Sequence, residues 1–278
     1  MKKTLLLFLL LLSSTISFCQ NFSKEWVSDS LFLKPESALF DSSERIVYIS
    51  NINGEYLAKD RNGFISKIKT NGEIDSLKWV EGLDSPQGLG LYKNKLYVAD
   101  ISRVVQINTN TAKIEKVFVV EGAKFFNDIA SDSNGDIYTS DCFGNKIYKI
   151  ANGKIKVWLD SNFISNPNGL LCTKEDLLML NMKDKTAYAI NKLTKKHRSI
   201  FSGIDNLDGI VSDGANGFFV SGAWQGQIFH VDSDGNKKLI IDLGKEKIIT
   251  ADIEYISKEE LLIIPTLDKT IIGYKWTK

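Results

Sequence analysis

Histidine is nearly missing from this chain. His197 and His230 are the only two in 278 residues, and both fall at outer or turn positions. A His-based zinc centre and a Ser-His-Asp triad are therefore disfavoured. Proline is scarce too, with four, and Pro86 and Pro167 precede apolar runs instead of interrupting them. Of three cysteines, Cys19 lies near the N-terminus, while Cys142 and Cys172 lack metal-ligand spacing. These two read as buried thiols, with a disulfide as the alternative open to an exported chain. Basic charge is concentrated nowhere: the formal net charge is +1, and no run of Lys and Arg exceeds two residues, as at Lys195-Lys196. Nucleic-acid binding thus has no electrostatic basis. No amphipathic helix of useful length is present either.

Residues 1–19 stand apart. Lys2 and Lys3 form a basic start and residues 5–12 an unbroken apolar run. Ser17-Phe18-Cys19 puts small residues at −3 and −1 before Gln20. This is the pattern of a secretory signal peptide, and its apolar run is too short to cross a bilayer. The expected mature chain, 20–278, is exported to a periplasmic or extracellular space as a single domain without a membrane span. A lipid anchor at Cys19 is the alternative, although Phe18 stands where a small residue is expected.

What is present is a repeat. An acidic or amide residue, then a small or polar one, then an apolar strand recurs at Asn127-Asp128-Ile129, Asn168-Gly169-Leu170 and Asp208-Gly209-Ile210, 41 and 40 residues apart. Gln87-Gly88-Leu89 comes 40 residues before the first of these, Glu36-Ser37 comes 51 before Gln87, and Asp252-Ile253 follows Asp208 by 44. Six units of about 40 residues match the length of four-stranded propeller blades. The expected fold is all-β: one six-bladed β-propeller with four antiparallel strands per blade. Residues 26–33 alternate and read as an N-terminal strand that completes the last blade, hiding the edge an open ring would leave. Blade one carries its extra length in the loop after Asn51.

In a propeller the first strands line the central channel and run the same way. The residues that open them, Glu36, Gln87, Asn127, Asn168, Asp208 and Asp252, then share one rim. Second strands return antiparallel and end at that rim with Asn51, Asp100, Asp141, Asn181 and Thr266. The first set holds three carboxylates and three amides, hard oxygen donors that suit calcium better than zinc. The plainer alternative is turn chemistry, in which these side chains satisfy backbone N–H groups. Trp224 and Phe143 follow second strands and could wall an apolar pocket, with blade-to-blade packing as the alternative. Trp79, Trp158 and Trp276 read as packing between outer strands.

Pro35-Glu36-Ser37, Phe126-Asn127-Asp128, Pro167-Asn168-Gly169-Leu170 and Leu207-Asp208-Gly209 resemble, in order and spacing, the signature of one family. It is the senescence-marker-protein, gluconolactonase and luciferin-regenerating-enzyme family of six-bladed propellers, and the resemblance covers about residues 34–276. It implies a divalent cation, calcium, held by Glu36, Asn127, Asn168 and Asp208. It also implies a hydrolase of a lactone or related ester, with Asp208 as base for water or as nucleophile. Lys124, Asp128, Trp224 and Asp252 complete the candidate substrate-contacting set; Asp128 and Asp252 could instead support the ligands or hold a further ion. The family's Arg beside the middle Asn has no counterpart, Lys124 being the one cation in Ala123-Lys124-Phe125-Phe126. The paraoxonase-type His pair is also without a counterpart. Gln87-Gly88-Leu89 and residues 96–100 resemble NHL repeats, so the second reading is a non-catalytic propeller binding a ligand or protein partner around a structural metal.

Overall fold

A computed structural model describes residues 21–277; the leader reading, Cys19 included, lies outside the described residues. Apolar runs of period two, cut by turn residues, become strands. The only helical elements among the described residues are two short 3-10 turns, Ala223–Gln225 and Gly244–Glu246, so no helix is long and apolar enough to cross a membrane. The described residues open with β1 (Asn21–Val27). Blade one comprises β2 (Pro35–Asp41), β3 (Ile46–Asn51), β4 (Gly63–Lys69) and β5 (Ile74–Leu83). Blade two comprises β6 (Pro86–Tyr92), β7 (Lys95–Asp100), β8 (Arg103–Asn108) and β9 (Lys113–Val119). Blade three comprises β10 (Phe126–Ser131), β11 (Ile137–Asp141), β12 (Lys146–Ala151) and β13 (Lys154–Asp160). Blade four comprises β14 (Pro167–Cys172), β15 (Asp176–Asn181), β16 (Thr186–Asn191) and β17 (His197–Ser202). Blade five comprises β18 (Leu207–Ser212), β19 (Phe218–Gly222), β20 (Gln227–Val231) and β21 (Lys237–Asp242). Blade six has β22 (Glu254–Ile256), β23 (Leu261–Pro265) and β24 (Ile271–Thr277), and β1 pairs antiparallel with β24 as its outer strand.

The fold is therefore a six-bladed β-propeller closed by its N-terminal strand. That strand ends at Val27, earlier than the 26–33 alternation suggests. Residues beyond it form turns whose Ser28 and Phe32 N–H groups donate to the Ile271 and Lys269 carbonyls at 2.9 and 3.2 Å. Phe32 drops into the apolar cluster of Val47, Ile49 and Ile263. The apolar Leu31-Phe32-Leu33 belongs to a loop that buries Phe32, not to a strand. Trp276, correspondingly, lies on the third strand of its blade and not on the outer one.

The apolar core is divided into six clusters, one in each gap between neighbouring blades. Tyr48, Ile65, Leu89 and Val98 join blades one and two; Tyr138, Ile147, Leu170 and Met179 join blades three and four. Each fully buried large side chain contributes ~1.5–3 kcal/mol.

Five inner strands share one irregularity. Pairing shifts between Pro35 and Ala38, Pro86 and Leu89, Phe126 and Ile129, Pro167 and Leu170, and Leu207 and Ile210. Each shift is a β-bulge, where two residues oppose one and a side chain is re-aimed. The bulged pairs are Glu36-Ser37, Gln87-Gly88, Asn127-Asp128, Asn168-Gly169 and Asp208-Gly209. The three-residue β22 pairs with β23 without a shift.

The polar ends of the second strands serve the scaffold. Asp141 accepts the Phe125 and Gly144 N–H groups at 2.9 Å and that of Lys124 at 3.1 Å. Asp100 accepts Ser85 N–H at 2.7 Å, Asn181 Oδ1 accepts Ser165 N–H at 2.7 Å, and Asn51 Oδ1 accepts Leu33 N–H at 3.1 Å. Each ties down the loop that feeds its own blade's inner strand. Thr266 differs, donating to the Thr270 carbonyl at 2.8 Å. Asp141→Ala strips several backbone donors of a buried acceptor and is expected to cost about 2–4 kcal/mol, against about 1 kcal/mol for Thr266→Ala. Urea midpoints at unchanged m-value check both.

Candidate functional site

The bulges bring Glu36, Gln87, Asn127, Asn168 and Asp208 together at one mouth of the channel, where they line a cavity of about 380 Å³. Each of the five is buried, Glu36 to 4% exposure and Asp208 to 7%. Asn168 Nδ2 donates to Asp208 Oδ1 at 2.7 Å and lies 3.3 Å from Met182 Sδ. This turns the Asn168 amide oxygen away from that carboxylate. Gln87 donates its amide to the Ser85 carbonyl and hydroxyl at 3.1 and 3.0 Å. Glu36 Oε2 is buried without a hydrogen-bond partner among the described residues.

Negative charge here goes unanswered. Among the described residues no Lys, Arg or His lines the cavity. Burial raises the carboxyl pKa of Asp208 to about 7, an effect the Asn168 amide partly offsets. At Asp128 burial, with repulsion from Asp208, also lifts it to about 7. Glu36 and Asp252 are pushed well above the ordinary range by burial first and neighbouring carboxylates second. Such a set is stabilised by protons or by a cation. A buried orphan oxygen normally needs a partner. Two carboxylates and two amides at one floor fit a hard cation such as calcium. Among the described residues no group of three or more His, Cys, Asp and Glu is arranged to hold a metal. The candidate set is of another kind, half of it amide.

Asp252 and Asp128 sit one step deeper. A Cβ at Gly88 would meet Asp128, one at Gly209 would meet Asp252, and Ser37 pairs with Asp252 in a parallel bridge. Ala251 therefore takes the rim position of blade six that the spacing ascribes to Asp252. Both acids line a second cavity of about 300 Å³ with Glu254, whose carboxyl burial raises to about 7. Asp252, enclosed by its surroundings, is still partly open to that cavity. Here the acceptors are engaged. Asp128 takes the Leu170 and Ile129 N–H groups at 2.6 Å, Asp252 takes the Ser37 hydroxyl at 2.7 Å, and Glu254 takes the Phe40 and Tyr255 N–H groups at 2.8 Å. In three blades the residue after the rim position is glycine, Gly88, Gly169 and Gly209, because neighbouring inner strands nearly touch there: a Cβ at Gly169 would fall on the Asp208 carbonyl oxygen.

Lys124 is exposed and lines neither cavity. Trp224 and Phe143 do line the first. Cys142 and Cys172 are free thiols, one in each cavity. His197 stacks on Phe163, and His230 Nε2 lies 2.9 Å from Asp213, both away from the cavities. Sequence reasoning missed Tyr56, Leu57, Phe125, Met182 and Leu267 as lining residues. The extra length after Asn51 was the one available signal, since it delivers Tyr56 and Leu57. Burial, with the charges of Glu36 and Asp208, raises the Tyr56 hydroxyl to about 12.

No protein-family model matches the chain, and no curated protein matches it by sequence. Solved structures do. A gluconolactonase from Xanthomonas campestris superposes with a TM-score of 0.71 at 15% identity, covering 93% of this chain and 90% of that one. The chain shares the gluconolactonase fold. Virginiamycin B lyase from Staphylococcus aureus gives a TM-score of 0.65 at 14% identity, over 92% of this chain and 99% of the lyase. A chain of a nidogen/laminin complex gives 0.63 at 16%, over 73% and 78%. At these identities the likeness is one of fold, and the gluconolactonase among the neighbours fits the resemblance carried by the four motifs.

A carboxyl with a raised folded-state pKa takes up a proton on folding. Its contribution to stability is full below the unfolded value, about 4, and is lost as pH rises through the folded one. Metal-free protein is thus expected to melt at higher temperature at pH 5 than at pH 8, losing stability up to and beyond the value of about 7 at Asp208, Asp128 and Glu254. Thermal melts in chelator check this; a melting temperature that rises from pH 5 to 8 would contradict it.

Proposed function

We propose that this protein is an exported, calcium-dependent hydrolase that opens a lactone or related ester at the floor of the first cavity. One observation carries the reading: a buried, unpartnered Glu36 oxygen shares that floor with Asp208 and two amides, and no cationic side chain lines the cavity. Glu36, Asn127, Asn168 and Asp208 would hold the ion, which when bound polarises a carbonyl and stabilises the charge developing on its oxygen. The chain's own residues do the rest. Asn168 orients Asp208 through its 2.7 Å bond. Asp208, oriented by that bond beside the ion, is placed to take a proton from an attacking water. The water oxygen bonds to the acyl carbon as the acyl C–O bond breaks. The proton held on Asp208 passes to the departing oxygen, which leaves as a hydroxyl.

The second reading, a binding propeller with a structural metal, uses the same four residues, and the nidogen/laminin chain has the same fold within a protein complex. Calorimetry on the chain from Gln20 onward is expected to show calcium binding that Glu36→Ala and Asp208→Ala abolish. Asp208→Asn is expected to lower kcat on a lactone or aryl ester by about 10²–10⁴-fold. Calcium-dependent stability without turnover on any ester would favour the binding module; no calcium binding would sink both readings.

A further inference from the structure

The walls above the polar floor are apolar. Leu57, Phe143 and Trp224 are large hydrophobic side chains left 54%, 48% and 53% exposed. They come from blades one, three and five, yet all border the same cavity, joined by Tyr56, Phe125 and Met182. Exposed apolar surface gathered at one place marks a binding site more often than chance exposure does. The rings are also held. Phe143 stacks on Phe125 at 5.0 Å with 21° between planes. Trp224 sits in the 3-10 turn Ala223–Gln225, pinned by Ala223 N–H on the Asn206 carbonyl at 3.0 Å and by Asn206 Nδ2 on Gln225 Oε1 at 2.9 Å.

A sugar lactone carries a hydroxyl on nearly every carbon, and each needs a partner once buried. These walls offer the Tyr56 hydroxyl and little else that is polar. An anionic substrate would find no cationic side chain among the described lining residues, and two carboxylates below it that offset the charge of a bound calcium ion. An aromatic or alkyl group, in contrast, gains by leaving water for the faces of Trp224 and Phe143.

Resting on the hydrolase reading above, we infer that the site takes a neutral, apolar lactone or ester, aryl- or alkyl-substituted, with its carbonyl at the Glu36–Asp208 floor and its apolar part between Trp224 and Phe143. Sugar lactones are poor substrates.

The test compares dihydrocoumarin with glucono-δ-lactone on the calcium-loaded protein. Turnover is expected to favour dihydrocoumarin by about a hundredfold in kcat/KM, within the range that pairing and apolar contacts give. Trp224→Ala is expected to raise KM for dihydrocoumarin about tenfold with kcat within about twofold, circular dichroism verifying the fold. Binding is read separately, by quenching of Trp224 fluorescence in Asp208→Asn, using Trp224→Phe to subtract the other tryptophans. Preferential turnover of glucono-δ-lactone overturns this inference and leaves the hydrolase reading standing. Saturable, Trp224-dependent binding of dihydrocoumarin with no turnover of either compound overturns the hydrolase and upholds the apolar site. If dihydrocoumarin is neither bound nor turned over, the inference is overturned.

Discussion

Six sheets close into a ring only if their inner strands lie almost against one another at the axis. At Gly88, Gly169 and Gly209 there is no space for a side chain, since a Cβ there would meet the next inner strand. Where the position holds Ser37 or Asp128, the side chain bonds to the neighbouring inner strand instead. The bulge that accommodates this approach turns the preceding residue toward the channel mouth. The gathering of Glu36, Gln87, Asn127, Asn168 and Asp208 at one rim is thus a consequence of ring closure.

That closure also gathers negative charge where water is scarce. The two ends of the channel handle it differently, although both use acidic side chains. At the inner end Asp128, Asp252 and Glu254 accept backbone N–H groups or a hydroxyl, and so join blades three to four and six to one. At the outer end Glu36 keeps an oxygen with no partner. Asp128 and Glu254 have both carboxylate oxygens bonded, which marks scaffold; an unpartnered oxygen at the base of a cavity marks a place for a ligand. The apolar walls sharpen this contrast, since they add nothing that would neutralise the floor.

Much of the fold was legible from the period alone, because a blade is a local unit whose turns and apolar alternation recur. The four motif residues were legible for the same reason. At other residues local pattern and tertiary placement part. Asp252 looked like a sixth rim residue, but blade six lacks the bulge and places Ala251 there. Lys124 looked like a substrate contact from its neighbours in sequence; its backbone N–H is bound to Asp141 and its side chain faces solvent. Residues 26–33 read as one strand, but after Val27 the chain turns and its apolar Leu31-Phe32-Leu33 lies in a loop that buries Phe32.

Taken by itself, the sequence determined the number of blades, the closing role of the N-terminus and the positions of the hard oxygen donors. These follow from periodicity and residue chemistry, which are properties of short stretches. Only the tertiary structure decided which carboxylates keep free oxygens, which end of the channel each one faces, and which hydrophobic side chains wall the cavity. Those depend on the direction of each bulge and on contacts between residues as far apart as Ser37 and Asp252, which no local pattern encodes.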